Sequence, residues 1–142
     1  MNTFHLRILS AEEPMYDGPC ESLQFPCSDG QYGIQAKHTP MLAAMIPGLL
    51  SYRTPGQEMR GLSVSTGMVK VDSEGVLVLA DAAEWPEEID EDRARRDVEE
   101  AERKLREQRS RNAYLAANAE LARALSRLHL KQNAEKYIHP DK

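Results

Sequence analysis

The chain has 142 residues, of which 41% are hydrophobic and 29% are charged, and its formal net charge is −5. This composition is typical of one folded domain, or of a small domain with an appendage, and it excludes wholesale disorder. The longest apolar run, residues 41–46, is far shorter than the roughly 20 residues that a transmembrane helix needs. The N-terminus lacks the basic-then-apolar pattern of a signal peptide, so we expect any membrane association to come through a partner.

The first half of the chain predicts short β-strands. Apolar and polar side chains alternate from Phe4 and Leu6 onward, and a period of two is typical of a half-buried strand. All the glycines lie at or before Gly75, and residues 54–57 and 72–75 are typical of hairpin turns. We predict strands over residues 4–9, 23–25, 32–34, 42–46, 49–53, 59–65, 68–71 and 76–79. Many short strands at this spacing favour a β-sandwich or barrel of about 80 residues.

A sandwich of this size needs a filled interior. Each fully buried large side chain contributes about 1.5–3 kcal/mol, which offsets the ordering entropy only narrowly. The predicted core residues are Leu6, Ile8, Leu23, Ile34, Leu42, Ile46, Leu62, Val64, Val69, Val71, Val78 and Leu79.

The composition changes near Trp85, so we predict a β domain over residues 1–85 and a helical region over 86–142. The first helix is expected to begin at Pro86, with acidic residues in its first turns, where they complement the helix dipole. The second is expected over residues 113–131, followed by a polar tail. The predicted apolar stripes are Ile89, Ala94, Val98, Ala101 and Leu105 in the first helix, and Tyr114, Leu115, Ala117, Leu121, Ala122, Ala124, Leu125 and Leu128 in the second. Because these stripe residues are mostly Ala and Leu, the helices bury little area, and we expect a hairpin that is weakly held and able to move.

No local motif indicates catalysis or metal binding. The sequence contains no GxSxG, HExxH or Walker-type glycine loop. Cys20 and Cys27 lie seven residues apart without a CxxC or a nearby histidine pair, which argues against a zinc site. The histidines fall in separate segments, at His5, His38, His129 and His139. We therefore expect no catalytic residue and no metal site.

One face of the second helix is basic. Arg123, Arg127 and Lys131 follow the spacing i, i+4, i+8. Such a face indicates either an acidic partner or nucleic acid, or it is an ordinary solvated surface. The acidic pI near 5.4 and the lack of a nucleic-acid-binding motif argue against nucleic acid. His38, in a loop between strands, is interpreted either as a partner contact or as a residue that bonds the local backbone.

Several segments together resemble the epsilon subunit of bacterial F-type ATP synthase. They are Gly30-Gln31-Tyr32-Gly33-Ile34, His38-Thr39-Pro40-Met41-Leu42, Pro47-Gly48, residues 65–71, residues 76–81 and residues 88–94. The similarity runs from about residue 4 to residue 128. It implies a ten-stranded β-sandwich that docks on the gamma subunit and the c-ring, followed by an antiparallel two-helix hairpin. The hairpin is the family's regulator, permitting ATP hydrolysis when folded down and blocking rotation when extended among the alpha and beta subunits.

The resemblance also assigns contact residues. It implies that Arg123 and Arg127, with Lys131 behind them, meet an acidic segment of the catalytic beta subunit. It places Gln31 toward the c-ring and His38 near gamma. Since surface charges are screened by salt, inhibition through the basic face should weaken as ionic strength rises.

A regulatory ATP site is the one small-molecule site that the resemblance implies. The family's ATP-sensing motif is matched by Ile89-Asp90-Glu91-Asp92-Arg93-Ala94. In members that bind ATP, Asp90 and Arg93 would contact the nucleotide, and Glu84 is a further candidate. A purely structural interpretation is that Asp90 pairs with Arg93 along the helix, or complements the helix dipole. No other cofactor is expected.

The leading hypothesis is a non-catalytic, regulatory and coupling subunit of a proton-transporting ATP synthase. It would lie peripherally at the cytoplasmic face of the bacterial membrane, held there by its complex. The alternatives are a free-standing ATP sensor, and a β domain with a helical arm from some other complex. Binding to gamma separates the first from the others, and ATP calorimetry with Asp90→Ala separates the second.

Overall fold

The computed structural model describes residues 2–134 of the chain. Over this range ten strands in two five-stranded sheets precede two helices, which confirms the predicted fold class. The strands are β1 (Phe4–Ser10), β2 (Pro14–Cys20), β3 (Ser22–Cys27), β4 (Gly30–Gln35), β5 (Met41–Met45), β6 (Gly48–Arg53), β7 (Met59–Val64), β8 (Gly67–Asp72), β9 (Gly75–Ala80) and β10 (Ala83–Glu84). The end of the predicted polar tail, with His139, lies outside the described residues.

The two sheets pack face to face. Sheet A has the strand order β2-β1-β9-β8-β5, and sheet B has the order β10-β7-β6-β3-β4. Within residues 2–134, β1 and β9 form a parallel pair and the remaining neighbours are antiparallel. The core lies between the sheets, and Tyr52 and Phe25 are its largest fully buried side chains.

Nine of the twelve predicted core residues are buried, and three are not. The buried ones are Leu6, Ile8, Leu23, Ile34, Leu62, Val64, Val69, Val71 and Val78. Leu42, Ile46 and Leu79 are 64%, 40% and 45% exposed, so their assignment to the core is wrong. Leu42 and Leu79 point outward because their strands alternate around buried Met45 and Val78, and Ile46 follows the end of β5.

The first α-helix begins later than predicted. Residues Pro86–Glu88 form a 3₁₀ turn, Ile89 and Asp90 are extended, and α1 spans Glu91–Glu107. The sequence pattern could not separate these because an acidic start suits either kind of helix. The second helix, α2, spans Arg111–Gln132 and begins two residues early, after the N-cap Ser110. Neither helix is both long and apolar enough to cross a membrane, considering residues 2–134.

The hairpin packs on the outer face of sheet B. Helix α2 lies against β6 and β7, and α1 packs on α2. The predicted stripe residues Ala117 and Ala124 are buried, and Leu130, which the sequence pattern missed, is completely buried. Tyr114 was predicted to lie in the stripe, and Leu115 and Leu125 to widen it, but all three are about half exposed. Since α2 carries apolar residues on several sides, the pattern did not define its packed face.

Candidate interaction surfaces

An arginine on α2 joins the hairpin to the sandwich. The Arg127 guanidinium donates to Glu84 on β10 through Nε (2.6 Å to Oε1) and Nη2 (3.3 Å to Oε2). Its Nη1 donates to Asp97 Oδ2 on α1 at 3.0 Å. The Arg127 side chain is only 19% exposed. We call these three residues the Arg127 clasp, because they connect β10, α1 and α2.

The electrostatics of the clasp favour the paired state. Burial acts to lower the pKa of Arg127, but the hydrogen bonds and charges of Glu84 and Asp97 outweigh it and raise that pKa. The contact with Glu84 is bidentate, which is the strongest geometry for an arginine and a carboxylate. Because the pair is partly buried, salt screens it less than an exposed pair.

The predicted basic face is therefore divided by the structure. Arg123 is exposed and makes no ion pair with any residue between 2 and 134. Lys131 is half-buried, and Arg127 is held in the clasp. A cleft of about 170 Å³ between the helices is lined by Asp97, Glu100, Glu120, Arg123, Ala124 and Arg127. Its acidic residues outnumber its basic ones, so the cleft is not a simple anion site.

Glu84 and Arg127 were assigned to two different sites by the sequence and are brought together by the fold. Sequence reasoning placed Glu84 with the nucleotide motif and Arg127 with the beta-subunit contact. It missed Asp97 altogether. Position 97 lies on the α2-facing side of α1, between buried Ala94 and Ala101, and that spacing was the available signal.

The segment predicted to be an ATP-sensing motif, residues 89–94, forms the junction between sandwich and hairpin. Ile89 and Ala94 are buried and pack with Leu130 in a small apolar cluster. The Asp90 side chain accepts a hydrogen bond from the Arg93 backbone N–H (3.1 Å) and so caps α1. This backbone bond replaces the predicted pairing of the Asp90 and Arg93 side chains. The cap leaves the Arg93 side chain exposed.

The remaining predicted contact residues lie on and after β4. Gln31 is exposed, and its Nε2 donates to the Leu49 carbonyl at 3.1 Å. His38 Nδ1 donates to its neighbour's carbonyl, Thr39 O, at 2.7 Å, and its Nε2 lies 3.0 Å from the Tyr32 hydroxyl. Local bonding of His38 is thus observed, while contact with a partner stays a prediction. No group of three metal-binding side chains occurs within residues 2–134.

An exposed apolar surface covers part of the outer face of sheet A. Cross-strand register places Ala44 opposite Met68, and Met68 opposite Leu79. Leu42 lies two residues from Ala44, on the same face of β5. We call Leu42, Ala44, Met68 and Leu79 the sheet A patch. Contiguous exposed apolar side chains of this kind mark interaction sites.

The patch was missed because β5 and β9, which carry three of its four residues, are apolar on both faces. In β9, Val76 and Val78 are buried, while Leu79 points out and Leu77 is half-buried. A continuous apolar run predicts a strand that is buried on both sides. Within residues 2–134, no element covers the outward side of that strand, where Leu79 is 45% exposed.

Comparison with known proteins places both parts of the chain in one family. Residues 3–86 match the family model "ATP synthase, Delta/Epsilon chain, beta-sandwich domain", and residues 87–132 match "ATP synthase, Delta/Epsilon chain, long alpha-helix domain". An ATP synthase epsilon chain of Caldanaerobacter subterraneus is 40% identical over 95% of this chain and 96% of its own length. That of Nitrosospira multiformis is 37% identical over 98% of this chain and 100% of its own length.

Solved structures share the fold. A chain of the Euglena gracilis mitochondrial ATP synthase, in its OSCP/F1/c-ring assembly, superposes with a TM-score of 0.74 at 20% identity, covering 95% of this chain and 82% of that one. A chain of the Tetrahymena thermophila central stalk and c-ring has a TM-score of 0.63 at 11% identity, covering 90% and 96%. At these identities the structures support the fold, and the sequence relatives establish the family. This chain therefore belongs to the ATP synthase epsilon chain family.

Proposed function

We propose that this protein is a non-catalytic subunit of the central stalk of F-type ATP synthase. In this role it couples proton-driven rotation of the c-ring to ATP synthesis, and its helical hairpin inhibits ATP hydrolysis by leaving the sandwich. The complex holds it at the cytoplasmic face of the membrane, with gamma, the c-ring and the alpha and beta subunits as partners. The observation that carries the proposal is the contrast between the two outer faces of the sandwich.

The outer face of sheet B is suited to reversible contact with the helical hairpin. Beneath α2 it presents the hydroxyls of Ser51 and Ser63, and the Ser63 hydroxyl bonds that of Ser126 at 3.3 Å. The helix side of this contact is the buried Ser126, whereas Ala124 lines the cleft between α2 and α1. Separating small and hydroxyl-bearing side chains exposes little apolar area, and water can satisfy the freed hydroxyls. Release of the hairpin therefore exposes little apolar area apart from the small cluster that contains Ile89 and Leu130.

The outer face of sheet A suits a lasting contact. Its patch exposes large aliphatic side chains, which are favourable only when a partner covers them. One solved structure with this fold is an OSCP/F1/c-ring assembly, and another is a central stalk with its c-ring. We assign gamma to this surface because the family resemblance implies that the sandwich docks on gamma. The start of β4, which carries Gln31, would then face the c-ring, and the loop that carries His38 after β4 would lie near gamma.

A charge placed in the patch tests this assignment. Leu79→Glu should weaken binding to a gamma-containing F1 complex at least tenfold, because it would bury an unpaired carboxylate in the contact. Leu125→Glu on α2 is the matched control, since Leu125 is 47% exposed and Leu79 is 45% exposed. The measurement is the dissociation constant of the full-length chain, with circular dichroism to show that both variants fold. Equal affinities for Leu79→Glu and the control would refute docking through sheet A.

Regulatory ATP binding stays a prediction of the family resemblance. The geometry gives Asp90 a structural role as the cap of α1. Asp90 can serve as this cap whether or not its carboxylate also contacts a nucleotide. A separate test of the two roles is possible because the cap and the carboxylate charge can be changed independently.

A further inference from the structure

The Arg127 clasp occupies the guanidinium that the proposed inhibitory contact requires. Nε, Nη1 and Nη2 of Arg127 all donate to Glu84 or Asp97. Two of these bonds go to β10, which belongs to the sandwich, and one goes to α1. These bonds use three of the five N–H donors of Arg127, and its side chain is only 19% exposed, so an acidic partner has little access to it while the hairpin is docked.

Arg123 lies one helical turn before Arg127 and is in a different state. It is exposed and has no ion pair with any residue from 2 to 134. An acidic surface can therefore approach Arg123 while the hairpin is still docked. Reaching Arg127 requires that Glu84 and Asp97 first release it.

We propose that Arg127 exchanges carboxylates. In the docked hairpin it pairs with Glu84 and Asp97, and in the released hairpin it pairs with carboxylates of an acidic partner surface. The docked and partner-bound states are then mutually exclusive, because they compete for one guanidinium. This inference rests on the proposed function, since it concerns the regulation of the same hairpin.

The exchange has a consequence that a purely structural ion pair lacks. Removing the carboxylates weakens only the docked state, so the hairpin is released more easily. Removing Arg127 weakens both the docked state and the partner-bound state, so the two effects oppose each other. The role of Arg127 in the partner contact therefore becomes measurable only after the clasp has been removed.

The experiment is a mutant cycle on full-length protein reconstituted with F1. Glu84→Gln with Asp97→Asn removes the clasp charges while keeping the side-chain shapes. We expect this pair to lower the concentration that gives half-maximal inhibition of ATP hydrolysis by about fivefold. Adding Arg127→Gln to the pair should reverse most of that gain, whereas Arg127→Gln alone should change inhibition much less.

Three outcomes of the mutant cycle overturn the exchange. The first is a triple variant that inhibits as strongly as the Glu84→Gln, Asp97→Asn pair, which would make Arg127 a docking residue only. The second is a pair that inhibits no better than the wild type. The third is a wild-type chain that leaves hydrolysis equal to that of F1 without the subunit, and this outcome alone also overturns the proposed inhibition.

Hydrogen exchange on the isolated chain shows that the variants fold and that the clasp acts on the hairpin. The Glu84→Gln, Asp97→Asn pair and Arg127→Gln break the same contacts, so both should reduce protection in α2 to a similar degree and leave β6 and β7 protected. Unchanged protection of α2 in both would show that the clasp does not hold the hairpin, which overturns the inference.

Discussion

Cys20, at the end of β2, is a completely buried thiol whose titration affects stability. Its Sγ donates to the Ser22 carbonyl at 3.0 Å. Burial raises the pKa of Cys20 from 9.0 to about 11. Between these values the unfolded chain loses the thiol proton and the folded chain keeps it, so the free energy of unfolding falls as the pH rises. Two pKa units correspond to roughly 2–3 kcal/mol lost between pH 9 and pH 11.

Comparison with Cys20→Ala isolates this contribution. Burial also raises the pKa values of Tyr16 and Tyr52, so both proteins should lose stability at high pH. Truncation to alanine lowers stability by an amount that does not depend on pH, and the difference between the two proteins should shrink from pH 9 to pH 11. Urea denaturation at several pH values measures it. Parallel stability curves would show that the Cys20 thiol does not titrate as described.

At the level of a secondary-structure element, Asp90 has an observed role as a helix cap and a predicted role in ATP binding. As the N-cap of α1, its carboxylate accepts from Arg93 N–H. Asp90→Ala should reduce the stability of α1 by about 1 kcal/mol, and Asp90→Ser should restore most of it, since serine is also a good N-cap. Hydrogen exchange in α1 measures this effect. If both variants destabilise α1 equally, the cap is not the role of Asp90.

The same two variants separate the cap from nucleotide binding. Serine restores the cap but not the carboxylate, so ATP that is held by the Asp90 carboxylate should bind weakly to both variants. Titration calorimetry with ATP makes the comparison against the wild type. Recovery of ATP affinity in Asp90→Ser would show that the nucleotide depends on the position of the helix and not on the Asp90 charge.

Most elements of the fold were predictable because their signals are local. Alternating side chains and glycine turns identified eight of the strands. Strand β2 was missed because Pro14, Gly18 and Pro19 are typical of loops; it is an edge strand, where prolines are tolerated. Strand β10 has only two residues, Ala83 and Glu84, which is too short for any periodicity.

The candidate sites were less predictable because they depend on contacts between distant residues. Arg127 bonds Glu84, 43 residues away, and Asp97, 30 residues away. Spacing along α2 grouped Arg127 with Arg123 and Lys131, although tertiary packing gives the three residues different environments. Periodicity cannot report such pairings, because it records the faces of a single element.

For the molecule as a whole, the sandwich separates a lasting contact from a reversible one. The sheet A patch presents large aliphatic side chains, whereas the seat of the hairpin on sheet B presents serines. Hydrophobic stabilisation scales with apolar area, so the first surface favours tight association and the second permits release. The Arg127 clasp and the Ile89 cluster then determine how readily the hairpin leaves.

A disulfide between seat and hairpin tests whether that release is needed for inhibition. The hydroxyls of Ser63 on β7 and Ser126 on α2 lie 3.3 Å apart and are buried, so cysteines at both positions should be close enough to form a bond. Oxidised Ser63→Cys, Ser126→Cys protein should leave hydrolysis by reconstituted F1 at the rate measured without the subunit. Reduction should restore inhibition to the wild-type level.

The single variants Ser63→Cys and Ser126→Cys are the controls, because they retain the native Cys20 and Cys27 but cannot link the two elements. Both should inhibit equally with and without reductant. The oxidised double variant tests the mechanism because its hairpin is covalently held on sheet B. If it inhibits as strongly as the reduced form, the hairpin acts from its docked position, and inhibition must come from surfaces that are already exposed there, such as Arg123 and the solvent side of α2.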